Sequence, residues 1–158
     1  MLAQIAAKLD VWVIARNIEA RAEGLPQLRP CLIRVLGQAA LLEAHARLQL
    51  NVTNDVDVYA DYDHAIELEF RRLLALQGKE LDPVGREVWM PKETVYKSLF
   101  AGEYVSMELA DVDAVLASKA LKAPDKNRSL IVEYLAAGAT PRFLAMAERY
   151  AIDLERFV

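Results

Sequence analysis

Between Asn51 and Asp63 the chain reads NVTNDVDVYADYD, and the alternation of Asp55 and Asp57 with Val56 and Val58 constrains this stretch more than any other. Side chains at i and i+2 leave the same face of a strand, so the spacing predicts a β-strand with both carboxylates on one side and both valines on the other. Like charges held roughly 6–7 Å apart along a strand repel, which costs stability unless a cation or a donor sits over them. A divalent metal with oxygen ligands, magnesium above all, is the natural occupant. The same pattern also describes the solvent face of an edge strand, where charge discourages unwanted pairing. A calcium loop through Asp55, Asp57, Asp61 and Asp63 fails on the intervening Val56, Val58 and Tyr59 and on the lack of a loop glycine.

The rest of the chain predicts an α/β (α+β) fold: a small mixed sheet of about five strands flanked by helices, with a helical C-terminal portion. Apolar residues at Leu2, Ile5, Leu9, Trp12, Val13 and Ile18 predict an N-terminal helix over 1–23 with one buried stripe, ended by Gly24 and Pro26. Leu32–Leu36 reads as a short strand, Gly37 as a turn and Gln38–Leu50 as a helix. After the aspartate strand, Tyr62–Gln77 reads as a helix closed by Gly78, with Asp61 or Asp63 as its cap. Val84–Met90 reads as a strand stopped by Pro91, and Thr94–Phe100 with Glu103–Leu109 as a hairpin turning at Ala101-Gly102. Helices are expected over Asp111–Lys122, Pro124–Ala137 and from Thr140-Pro141 to about Leu154. No repeat or linker divides the 158 residues, so a single domain is expected.

Composition narrows the function classes. The lone Cys31 excludes an intrachain disulfide and a multi-cysteine zinc site, and it suits a reducing cytoplasm. The longest apolar run of the first segment, VWVIA, is too short to span a membrane and lacks a signal-peptide layout. A net charge of −4 argues against indiscriminate nucleic-acid binding, although local basic clusters still suit phosphates. Neither His45 nor His64 comes with a nucleophile on a Gly-x-Ser-x-Gly turn, and no Walker loop or dinucleotide fingerprint is present. What remains is a glycine turn opening a helix, followed by paired aspartates, an arrangement that brings backbone N–H groups for phosphate oxygens beside carboxylates for a cation.

Gly37-Gln38-Ala39-Ala40-Leu41 followed by Thr53-Asn54-Asp55-Val56-Asp57-Val58 resembles the nucleotidyltransferase superfamily related to DNA polymerase β. The segments Asp113–Ala120 and Pro124–Arg128 look like the downstream lysine helix of its small bacterial members, which include the minimal nucleotidyltransferases and the abortive-infection nucleotidyltransferases of toxin–antitoxin pairs. The resemblance implies Asp55 and Asp57 as Mg²⁺ ligands, Gly37, Gln38 and Thr53 on the nucleotide, and Lys119 as a phosphate contact. It also implies a third carboxylate from a later strand, for which Glu87 and Glu108 are the acids inside the expected strands. The activity implied is Mg²⁺-dependent transfer of a nucleotidyl group from a nucleoside triphosphate to a protein or RNA acceptor. The alternative is a non-catalytic module of the same fold, such as an antitoxin bound to its cognate toxin or a homodimeric regulator, and Gln38 in place of a second small residue speaks for it.

Overall fold

Cys31–Leu36 forms the central strand, β1, of a mixed five-stranded sheet in the computed structural model, which describes residues 1–158. Asp55–Ala60 (β2) runs antiparallel to β1 on one side, and Val105–Ala110 (β5) runs parallel to it on the other. Glu80–Leu81 (β3) extends the sheet beyond β2, and Tyr96–Ala101 (β4) pairs antiparallel with β5, giving the order β3-β2-β1-β5-β4. Five strands are found where about five were expected, but one of them is different. Val84–Met90 is not a strand: Gly85–Glu87 forms a short 3-10 turn and the following residues are irregular, while the two-residue β3 takes the place at the sheet edge. Pro83 and Gly85 explain this, because neither suits the interior of a strand.

The register sorts the sheet into an apolar and a polar face. Ile33, Val35, Val56, Val58, Val105 and Met107 share one face and are all buried. The helices Leu2–Glu23 (α1) and His64–Ala75 (α3) pack together with this core, contributing Leu9, Val13, Phe70 and Leu74. On the opposite face Arg34 lies beside Glu108, at 3.3 Å, with its guanidinium 4.1 Å from the centroid of the Tyr96 ring. Asp55 and Asp57 belong to that polar face, as the alternation predicts.

Helix α1 stops burying its apolar stripe earlier than the spacing suggests. Ile18 is 59% exposed, and the last buried position is Asn17, whose side chain accepts the Leu28 N–H at 2.7 Å and donates to the Leu28 carbonyl at 3.1 Å. Helix α2 spans only Gly37–Glu43, shorter than the expected Gln38–Leu50, because His45 takes a left-handed backbone at φ 53° and the chain runs on as a loop to β2. The C-terminal portion is helical as expected, in three pieces: Val112–Lys122 (α4), Arg128–Gly138 (α5) and Pro141–Arg149 (α6). Pro124 lies ahead of α5 instead of in its first turn, and α6 ends well before Leu154, where Ala151 at φ 54° breaks the helix. Asp111 and Thr140 cap α4 and α6 through their side chains. Asp63 occupies the cap position of α3, but its carboxylate accepts instead from the Arg29 N–H at 2.8 Å and Nε at 3.0 Å. No helix is long and apolar enough to cross a membrane.

One buried carboxylate ties α1 to the hairpin. Asp10, 7% exposed, accepts hydrogen bonds from the N–H groups of Glu103, Tyr104 and Val105 at 3.2, 2.7 and 2.9 Å. The carboxyl group reaches them only because residue 102 is glycine: a Cβ there would lie 2.5 Å from the carboxyl carbon. Asp10→Ala leaves three backbone donors unmet in a buried place, so a loss of about 3 kcal/mol is expected, read by urea unfolding. A loss below about 1 kcal/mol would show that the hairpin is held by packing alone.

Candidate functional site

The centre of the site is the side chain of Asp57, which sits between two backbones. On one side is Gly37, at φ 60° in the turn from β1 into α2; a Cβ there would lie 2.4 Å from Asp57 Oδ2. On the other is Gly85, where a Cβ would lie 3.0 Å from the Asp57 Cα and 3.3 Å from Oδ1. Asp57 Oδ1 is buried and has no hydrogen-bond partner in the protein. An ionised carboxylate oxygen in such a place is costly unless a proton, a donor or a cation meets it.

A second acid, Asp82, stands next to the first. The parallel pairing of β2 with β3 matches Asp55 with Glu80 and Val56 with Leu81, and the next step along both chains brings Asp57 beside Asp82. The Asp82 N–H donates to the Val56 carbonyl at 3.0 Å, and its Oδ1 accepts the Val84 N–H at 2.9 Å, which starts the turn that carries Gly85. The pair is close enough for one carboxyl to hydrogen-bond the other when a proton is present. Burial first, then the charge of Asp82, push the Asp57 carboxyl up to about 6, and nearby Lys119 pulls the other way.

Lys119 faces the acids from α4. It is half-buried, and burial together with repulsion from Lys126 draws its ammonium below the usual lysine range, while Asp57 opposes that shift. Asp57, Asp82 and Glu87 line, together with Lys119, Lys122 and Lys126, a cleft of about 500 Å³. Val88, Trp89 and Met90 supply its apolar wall. The wall is pinned to α4, because Ser118 Oγ donates to the Trp89 carbonyl at 2.5 Å and the Lys122 ammonium lies 5.5 Å from the centroid of the Trp89 ring.

The residues singled out from the sequence are thus divided. Gly37, Asp57, Glu87 and Lys119 line the cleft. Asp55 shares the face of Asp57 but is exposed at the start of β2 and does not line it. Gln38 donates through Nε2 to the Asn51 carbonyl at 3.1 Å and is also outside the lining. Thr53 is occupied locally: its Oγ1 accepts the Asp55 N–H at 3.2 Å and its carbonyl accepts from Lys79 Nζ at 2.6 Å. Glu108 is engaged with Arg34 and does not line the cleft, so it is not a partner of Asp57. Sequence reasoning missed Asp82 and Gly85. The signal for both was Leu81-Asp82-Pro83-Val84-Gly85, an acid followed by proline and glycine, which reads as a turn chemistry and not as the strand expected there.

No three His, Cys, Asp or Glu side chains are gathered as a ready-made metal cluster. The donor set is a pair, Asp57 and Asp82, and its unpartnered oxygen and mutual repulsion fit a hard divalent cation completed by phosphate oxygens and water. Compared with family models, curated proteins and solved structures, the chain matches none.

The crowding of Asp57 has a measurable consequence for stability. A carboxyl whose folded-state value is raised binds its proton more tightly when folded, so the protein loses stability as pH rises from about 4 through about 6. Allowing for screening through the open cleft, the loss is about 1–2 kcal/mol. Asp57→Asn, whose amide can donate to Asp82, is expected to abolish this dependence and to melt higher than the wild type at pH 7.5 in chelator. A wild-type melting temperature that rises between pH 4 and 6 by as much as that of the variant contradicts the assignment. Gly37→Ala should act in the opposite sense, destabilising by about 2 kcal/mol or more, because left-handed backbone and overlap with Oδ2 add.

Proposed function

We propose that this protein binds a nucleoside triphosphate with Mg²⁺ in the Asp57–Lys119 cleft and transfers its nucleotidyl group to an acceptor hydroxyl. The observation that carries the reading is the buried, unpartnered Oδ1 of Asp57 beside Asp82, in a cleft of about 500 Å³ that three lysines also line. Each part has a task in such a reaction. Asp57 and Asp82 would hold the cation, which supplies charge neutralisation on the phosphates when bound. Lys119, Lys122 and Lys126 suit the triphosphate oxygens, and the flat apolar wall at Trp89 suits a nucleobase. Glu87, the acid of the cleft left free of the cation, would take the proton of the acceptor hydroxyl, with pyrophosphate as leaving group. The resemblance of the glycine turn and the Asp55-x-Asp57 strand to nucleotidyltransferases supports the same reading.

A specific observation keeps the non-catalytic reading in view. No third acid gathers with Asp57 and Asp82 as a metal cluster: Glu87 lines the cleft apart from them and Asp55 lies outside it. Binding of a metal–nucleotide complex without transfer, as part of an interaction with a partner chain or a second copy, needs no more than that pair.

Incorporation of label from each α-labelled nucleoside triphosphate tests transfer. Asp57→Ala and Asp82→Ala are each expected to lower it about 100-fold or more, and Lys119→Ala by about tenfold. Equal incorporation in wild type and Asp57→Ala would remove the catalytic claim. Thermal melting with Mg²⁺ and triphosphate separates the two readings: a shift that Asp57→Asn abolishes, without any transfer, would leave binding alone.

A further inference from the structure

Helix α1 is apolar on two sides. Leu2, Ile5, Leu9 and Val13 are buried in the core, while Val11, Ala15, Ile18 and Ala22, spaced i, i+4, i+7 and i+11, form a second stripe that is exposed along its length. Val11 is 66% exposed and Ile18 59%. Single apolar residues on a surface need no explanation, but a stripe of them along one helix face marks a place where another chain packs.

The charges beside the stripe say which chain fits. Lys8, three residues before Val11, and Glu19, four after Ala15, border it on the same side, the cation near the start of the helix and the acid toward its end. Neither forms an ion pair within the chain, nor does Glu23, one turn beyond Glu19. Glu19 and Glu23 also line a hollow of about 290 Å³, whose apolar part includes Ala20, Leu25 and Leu28. Arg16 lines the same hollow, but its guanidinium is engaged 5.2 Å from the centroid of the Trp12 ring. When two identical helices pack antiparallel about a two-fold axis, the same flank of each comes together with its ends reversed. The end of α1 that bears the cation then meets the end that bears the acids, once on each side of the axis.

We propose that α1 is the interface of a homodimer, in which the α1 helices of two copies of this chain pack antiparallel through Val11, Ala15, Ile18 and Ala22. With Lys8 of one copy opposite Glu19 of the other, each Val11 falls between Ala15 and Ile18 of the second copy. The apolar stripe and the charged flank are therefore satisfied in one register. The antiparallel arrangement also sets the two helix dipoles against each other favourably. A helix of 22 residues is about 33 Å long, so one such pair is a contact at the small end of specific interfaces, and the dimer is of micromolar strength. No residue of α1 lines the Asp57 cleft, so the inference stands apart from the nucleotidyl-transfer reading.

Sedimentation equilibrium of the full chain from about 1 µM to about 300 µM tests it. The mass is expected to move from 17.7 kDa toward twice that value across the range. Ile18→Glu should weaken association about tenfold or more, with the melting temperature unchanged because the side chain is exposed. Glu19→Lys sets like charges opposite each other and should weaken association about tenfold, and adding Lys8→Glu should restore it. A chain that stays at 17.7 kDa at the highest concentration overturns the proposal. So does a dimer that Ile18→Glu leaves equally tight, which would put the contact on another surface. A Glu19→Lys variant that associates as the wild type does, or that Lys8→Glu does not rescue, overturns the antiparallel pairing.

Discussion

Asp57 stands where three backbone segments converge, and the missing Cβ atoms of Gly37 and Gly85 are what allow them to converge. The carboxyl has no room to rotate away, no donor of its own on Oδ1, and a second acid beside it. The elements that line the cleft meet around that group: α2 starts from the Gly37 turn, β3 delivers Asp82, and α4 presents Lys119 and Lys122. Burying such an acid destabilises the fold, and groups of this kind cluster at functional sites.

The cost is offset elsewhere in the molecule, and mostly by local hydrogen bonding to carboxylates. Asp10 satisfies three N–H groups of the β4–β5 turn, Asp111 caps α4 while pairing with Arg142, and Asp113 accepts from Tyr134 and Thr140. These contacts fasten α1 to the sheet edge and the C-terminal helices to α4. The lysine wall therefore rests on a braced support and not on a free helix.

Much of this was legible in local patterns. The alternation at Asp55–Val58 announced a strand with a polar face, Gly37 announced a turn, and the capping residues Asp111 and Thr140 marked two helix starts. What escaped was decided by distance along the chain. Nothing near Asp82 in sequence says that it will pair with Asp57, because that contact is made by a parallel crossover through α3. Val84–Met90 has the composition of a strand, yet Pro83 and Gly85 turn it into the irregular wall of the cleft. Of the lysines that line the cleft the resemblance implies only Lys119, and the packing of α4 against the 85–90 segment brings Lys122 there as well.

The shortness of β3 bears on how the site moves. Parallel pairing of the segment carrying Asp82 with the sheet is confined to two residues, Asp55 with Glu80 and Val56 with Leu81. An edge so brief opens more readily than the central β1–β5 ladder, and the spacing of the two acids follows that edge. A cation bridging Asp57 and Asp82 would act as a clasp on that edge. Slowed amide exchange at Glu80–Asp82, with β1 and β5 unaffected, is then the local signature of occupancy.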